Sequence, residues 1–290
     1  MPDAAPAAEE DLSAWDKVLT PEKGWFDLRL HEIWNYRDLV LLFFKRDFVA
    51  SYKQTVLGPF WFFVQPLLTT VVYWAVFGRV GKIVTKGVPQ ILFFMAGVIL
   101  WTFFSNCLVK TVNTFTGNSG LFGKVYFPRL TLPLSVVLTN LAIFGFQFLL
   151  FLAMIAGSWL VGHPVPLDWR LIVLPALLLE MAALAIGVGC IVAALTVKYR
   201  DFAAIVQFGV QLWMFGSCIV MPLSLFDART QAWLVLNPMV PIVESFRYAF
   251  LGSGVIQLSQ LLLSMAITAV LLVGGLLLFN RVERTHLDSI

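Results

Sequence analysis

The chain alternates long uncharged stretches with short basic interruptions, and the first of these changes, between Lys45 and Gly78, sets the pattern for the rest. No charged side chain occurs between Lys53 and Arg79. A helix needs roughly 20 apolar residues, at ~1.5 Å rise each, to cross ~30 Å of hydrocarbon, so this stretch predicts a membrane span. Gly58 and Pro59 stand at its start, where a missing backbone N–H is harmless. Pro66 stands inside it and predicts a kink, or a carbonyl freed for another partner.

The same pattern recurs. A second span is expected over Gly87 to Val109, a third over about 134–160 and a fourth over about 171–196, with Glu180 near its middle. After the short KYRDF loop, Lys198 to Phe202, a fifth span runs to about Met221, and a last one runs from Leu258 to Asn280. Lys110 to Pro133 reads as a loop with at most one helical turn, and His163 to Arg170 as a tight outer turn. Pro222 to Gln257 is neither loop nor span: Pro238 and Pro241 open a helix that Gly252, Ser253 and Gly254 close, which makes a half-span.

Before the first span, Leu30, Ile33, Trp34, Leu41, Phe44 and Phe48 recur at helical spacing between charged residues. Residues 28–51 are therefore expected to form an amphipathic helix in the membrane surface. Residues 1–27 lack the apolar core of a signal peptide and are expected to be an uncleaved, mobile extension. The predicted fold is an all-α integral membrane protein: six transmembrane helices over 52–285, the interfacial helix before them, outer half-span helices between spans five and six, and a 286–290 tail.

Composition agrees with that class. Hydrophobic residues make up 59% of the chain and charged residues 13%, well away from a soluble domain. A net charge of +3 gives no reason to expect nucleic acid. The distribution of Lys and Arg matters more than their sum: fourteen of the 20 fall in the N-terminal region, the loop after span two, KYRDF and the tail. By the positive-inside rule those segments, and both termini, are cytoplasmic. Cys107, Cys190 and Cys218 sit singly in apolar segments and read as small buried hydrophobes. His31, His163 and His286 are too dispersed to suggest a metal site.

Four phrases in register carry a family resemblance: YKQTVLGPFWFFVQPL from Tyr52, KVYFPRLTLPLS from Lys124, KYRDF from Lys198 and NPMVPIVESFRYAFLG from Asn237. Together they resemble the membrane subunit of bacterial ABC exporters for lipid-linked polysaccharide, of the O-antigen, capsule or teichoic-acid type. The resemblance spans roughly residues 28–285. It implies an inner-membrane homodimer around a channel, driven by two copies of a separate ATPase subunit that holds the ATP and Mg. No cofactor is expected on this chain. Gly117 to Lys124, GNSGLFGK, is one residue too long for a phosphate-binding loop, and Val125 replaces the Ser or Thr that would hold magnesium.

The resemblance also directs attention to residues. Leu121, Phe122, Lys124, Val125 and Tyr126 stand where the family docks on its ATPase, although an ordinary inner loop with aromatic rings at the headgroups has the same composition. Arg37, Lys45, Arg46 and Lys53 stand where a lipid pyrophosphate would arrive, and plain retention against anionic lipid accounts for them equally. A sugar conduit needs aromatic faces and uncharged hydrogen-bonding groups; Trp61, Gln65, Tyr73 and Trp74 on span one, and Gln207, Gln211, Trp213 and Phe215 on span five, supply both. Glu244 and Arg247 either pair at i, i+3 or line an outer gate. Glu180, charged at mid-span, is either a bundle hydrogen bond or the proton carrier of an ion-coupled glycan transporter, which is the alternative to ATP-driven export. A third class, an enzyme acting on polyprenyl lipids, lacks an acidic metal cluster in the inner loops.

Overall fold

The computed structural model describes residues 34–83, 85, 87–118, 120, 127–163, 169–199, 201–254 and 257–287. The 1–27 segment, residues 28–33 of the expected interfacial helix and the 121–126 loop lie outside the described residues. Nine labelled helices follow in order: α1 Arg37–Ala50, α2 Trp61–Tyr73, α3 Gln90–Val112, α4 Thr131–Leu160, α5 Leu174–Lys198, α6 Phe202–Phe215, α7 Ala228–Leu234, α8 Met239–Leu251 and α9 Leu258–Leu287. No strand occurs among the described residues. Five helical segments are long and apolar enough to cross a membrane: Gly58–Val80, Gln90–Val112, Thr131–Leu160, Arg170–Thr196 and Leu258–Arg281.

The expected fifth span differs. Helix α6 stops at Phe215 after 14 residues, about 21 Å at ~1.5 Å each, and the chain turns irregularly from Gly216 to Pro222 before a short 3-10 turn. Cys218 takes a left-handed conformation there, with φ 54°. The cause is tertiary. The Arg247 guanidinium binds the Cys218 and Ile219 carbonyls, which a continuing helix would have used itself.

Helix α3 is the centre of the bundle. Buried residues make up 78% of its apolar stretch, against 17% for the Gly58–Val80 and the last segments, so those two present most of their surface outward. Inside α2, Pro66 lacks an N–H, and the Thr70 hydroxyl donates to the Pro66 carbonyl at 2.7 Å. The helix then widens into a π-helical turn, Trp74–Val80.

The half-span predicted after span five is α8. It opens at Pro238, ends on left-handed Gly252 at φ 66°, and is buried over nearly its whole length. Its Phe246 and Phe250, stacked at 4.5 Å, pack against Phe148 and Phe151 of α4. The preceding short helix, α7, is capped by Asp227, whose carboxylate accepts from the backbone N–H groups of Arg229 and Thr230.

Helix α1 lies at the other end of the bundle, by the start of α4. Buried Phe43 meets Phe127 at 5.6 Å, and Phe48 meets Phe62 and Phe146. Leu41 and Leu42 remain exposed on the helix, beside exposed Lys45 and Arg46, and Trp34 is exposed just before it.

Candidate functional site

Helices α2 and α6, which carry the expected channel residues, are neighbours: the Tyr73 hydroxyl donates to the Met214 sulfur at 3.2 Å. Trp61, Gln65, Gln207, Gln211 and Phe215 are exposed, among exposed Leu68, Val72, Phe208 and Leu212. Tyr73 and Trp74 are half-buried, and the Arg79 guanidinium lies 4.7 Å from the Trp74 ring centre. The result is a broad outward face, mostly apolar, with amides and aromatic rings set into it.

Trp213 is half-buried and points to the cap, the segment of residues 222–252 that carries α7 and α8. Its indole N–H donates to the Asn237 side-chain oxygen at 3.0 Å, and its ring stands edge-on to Phe104 at 5.1 Å. Asn237 uses all of its polar atoms. It accepts also from Met239 N–H, and its amide nitrogen donates to the Gly216 carbonyl and the Ser217 hydroxyl oxygen. This side chain ties the end of α6 to the start of α8. Sequence reasoning missed it; its position in an Asn-Pro pair ahead of a helix was the available signal.

Glu244 and Arg247 pair at 3.4 Å, with side chains only 6% and 1% exposed. Arg247 Nη1 and Nη2 donate at 2.6 Å to the Cys218 and Ile219 carbonyls, and the guanidinium sits 3.6 Å from the Phe93 ring centre. The pair lies in the wall of a cavity of about 430 Å³, which also meets Thr85, Ser224, Gln231, Ser253, Gln257 and Gln260.

Glu180, half-buried on α5, accepts a hydrogen bond from the Ser264 hydroxyl of α9, and the Ser264 oxygen lies 3.0 Å from the Pro238 carbonyl. Its partner is therefore a serine at the junction of two spans and the cap.

At the α1 end, Arg37, Lys45, Arg46 and Lys53 are all exposed. Arg46 pairs with Asp47 at 2.7 Å and lies 4.9 Å from the Phe43 ring centre. Arg37 lies over Trp34 and 4.0 Å from Asp38. Lys110, at the end of α3, interacts electrostatically with Asp47 and adds a cation that the sequence reading left out of this group. The expected docking residues Leu121, Phe122, Lys124, Val125 and Tyr126 lie outside the described residues; the one-turn helix Thr114–Gly117 precedes them, and buried Phe127 follows. Cys107, Cys190 and Cys218 are buried and unpaired. Among the described residues no three His, Cys, Asp or Glu side chains converge as metal ligands would.

The sequence pattern of ABC-2 type transporters matches residues 38–251, from the start of α1 to the last residue of α8. The chain belongs to the ABC-2 type transporter family. Within that family it is 29% identical over 266 residues to the O-antigen export system permease protein RfbA of Myxococcus xanthus, covering 90% of this chain and 98% of the relative. It is 24% identical to the protein of the same name from Klebsiella pneumoniae, over 85% of this chain and 92% of that one. The capsule polysaccharide export inner-membrane protein CtrC of Neisseria meningitidis is 25% identical, over 82% of this chain and 89% of the relative. An ABC-2 membrane protein with polysaccharide-export relatives is what the four phrases beginning at Tyr52, Lys124, Lys198 and Asn237 had resembled.

Proposed function

We propose that this chain is the channel-forming transmembrane subunit of an ATP-driven exporter that carries lipid-linked polysaccharide, O antigen in this case, across the bacterial inner membrane. The observation that carries this reading is the match along nearly the whole length of an O-antigen export permease. The outward face of α2 and α6 supports it physically. Uncharged amides and rings bind sugar hydroxyls and C–H faces weakly enough for a polymer to keep moving.

In this reading two copies enclose the conduit, with Trp61, Gln65, Tyr73, Trp74, Gln207, Gln211 and Phe215 toward it. Helix α6 and the turn after it bring the crossings to six, which puts both termini on one side, and the placement of Lys and Arg makes that side the cytoplasm. Helix α1 lies in the membrane surface as a unit distinct from the six-helix domain, and Arg37, Lys45, Arg46 and Lys53 meet the lipid pyrophosphate beside it. Two ATPase subunits dock on the 121–126 loop and hydrolyse ATP. Trp213, held by Asn237 and Phe104, supports the conduit wall rather than lining it. The structure adds no observation that favours Glu180 as a proton carrier, since its hydrogen bond to Ser264 gives it a structural partner.

The test is reconstitution in proteoliposomes with the companion ATPase and lipid-linked O polysaccharide. Polymer should cross only when ATP is hydrolysed. Movement that persists with a hydrolysis-dead ATPase, or that follows a pH gradient without ATP, would overturn the reading.

A further inference from the structure

The cavity of about 430 Å³ beside α8 falls within the ~300–1,000 Å³ range of small-molecule sites, and its lining is unusual for a membrane protein of this hydropathy. Three separate segments supply uncharged hydrogen-bonding side chains to it: Ser224 and Gln231 from the cap, Ser253 from the turn after α8, and Gln257 and Gln260 from the start of α9. The turn is built to place them. Gly252 and Gly254 hold φ values of 66° and 122°, and a Cβ at 254 would stand 2.7 Å from the Glu244 carbonyl oxygen. Ser253 between them is thereby fixed in the wall, and its hydroxyl oxygen is buried without a hydrogen-bond partner among the described residues.

The two charges in the lining are committed to each other, and the Arg247 Nε is left without a hydrogen-bond partner among the described residues. Arg247 spends its terminal nitrogens on two carbonyls. The Phe93 ring has that guanidinium over one face and is buried as a whole, so it offers a ligand little surface. Gln231 donates to the Phe226 carbonyl and keeps its amide oxygen; no hydrogen bond occupies the Ser224, Gln257 or Gln260 side chains among the described residues. A phosphate or carboxylate would find no unpaired cation among the described lining residues. A ligand rich in hydroxyls, each both donor and acceptor, would match the amides and serines group for group.

We propose that this cavity is a binding site for a neutral sugar ring, separate from the α2–α6 face. As a site for the exported glycan it rests on the export reading, but binding of a free sugar does not. A ring held at this end of the bundle, away from α1, is a foothold that resists backward slippage of the polymer.

The probe is a neutral methyl hexoside, titrated against the full chain in lipid nanodiscs and read by saturation-transfer NMR, with glucose 6-phosphate as the charged comparator. Saturable transfer to the neutral sugar is expected, at least about tenfold stronger than to the phosphate. Gln257→Leu should weaken it by about fivefold, for one lost amide partner at the exposed rim of the cavity. Ser253→Ala removes a hydroxyl that makes no hydrogen bond among the described residues, so it should leave thermal stability unchanged and still weaken binding about threefold. Gln54→Leu, on an exposed turn at the other end, should change nothing. No saturable transfer, equal transfer to glucose 6-phosphate, or wild-type affinity in both Ser253→Ala and Gln257→Leu would overturn the site. Those results would leave ATP-driven export standing, whereas hexoside binding without ATP-driven polymer movement would overturn the export reading and keep the site.

Discussion

Gly187 and Gly275 face each other where α5 and α9 cross. A Cβ added at 187 would stand 2.7 Å from the Leu272 nitrogen, and one added at 275 would press into the Gly187 backbone. Within lipid, helices associate by close packing more than by expulsion of water, so this absence of side chains lets two long spans approach. Gly275→Leu is expected to destabilise the bundle by at least ~1–3 kcal/mol, since the obstructing atoms are backbone and cannot swing aside. Gly274→Ala, one residue away with open space around it, is the control. Thermal unfolding in detergent followed by size-exclusion chromatography separates them; equal melting temperatures would disprove the crossing.

The Glu244–Arg247 pair fastens the cap to the end of α6. Arg247→Ala leaves a buried carboxylate without its partner and two carbonyls without donors, so a loss of ~3–5 kcal/mol is expected. The double variant Glu244→Gln/Arg247→Met removes the stranded charge and should lose clearly less than the sum of the single losses. Melting temperatures of the wild type, Glu244→Gln, Arg247→Met and the double variant test this. Simple additivity would mean that the two side chains do not act together.

Glu180→Gln preserves the shape of the side chain and a hydrogen-bonding partner for Ser264. ATP-driven export measured in proteoliposomes should stay within about twofold of wild type. Glu180→Leu, which leaves the Ser264 hydroxyl without that acceptor, should cost ~1–3 kcal/mol of stability. Abolished transport in a well-folded Glu180→Gln protein would instead revive proton coupling.

The Asp227 carboxyl is held below the usual carboxylate range, first by the Thr230 hydroxyl and next by the Thr230 backbone N–H. With the native value depressed, the cap's contribution is complete above the unfolded chain's ~3.9 and is lost as pH falls through the native value. Hydrogen-exchange protection of the Arg229 and Thr230 amides should therefore decline in acid. Asp227→Asn, which keeps the acceptor but cannot titrate, should flatten that decline; an unchanged pH profile would exclude Asp227 as its source.

The long spans were legible because a helix in lipid must satisfy its own backbone, which makes apolar length a nearly sufficient signal. The half-span was legible through Pro238, Pro241 and Gly252, whose backbone restrictions are local. Helix α6 was not, since the residues stay uncharged from Phe202 to Met221 and hydropathy has no means of marking the break at Phe215. Trp213 was assigned to the conduit by residue type and its place beside Gln207 and Gln211, and its hydrogen bond to Asn237, which joins positions 24 residues apart, left no mark in the local sequence.

Composition and spacing alone determined that this chain is a bundle of membrane helices with a basic end, because hydrophobic length and charge placement act residue by residue against a uniform solvent. The i, i+3 spacing of Glu244 and Arg247 permitted a pair. Only the folded bundle decided that the pair is buried, ends α6 and walls a polar cavity, since those outcomes depend on carbonyls 28 and 29 positions away being brought within 2.6 Å of one guanidinium.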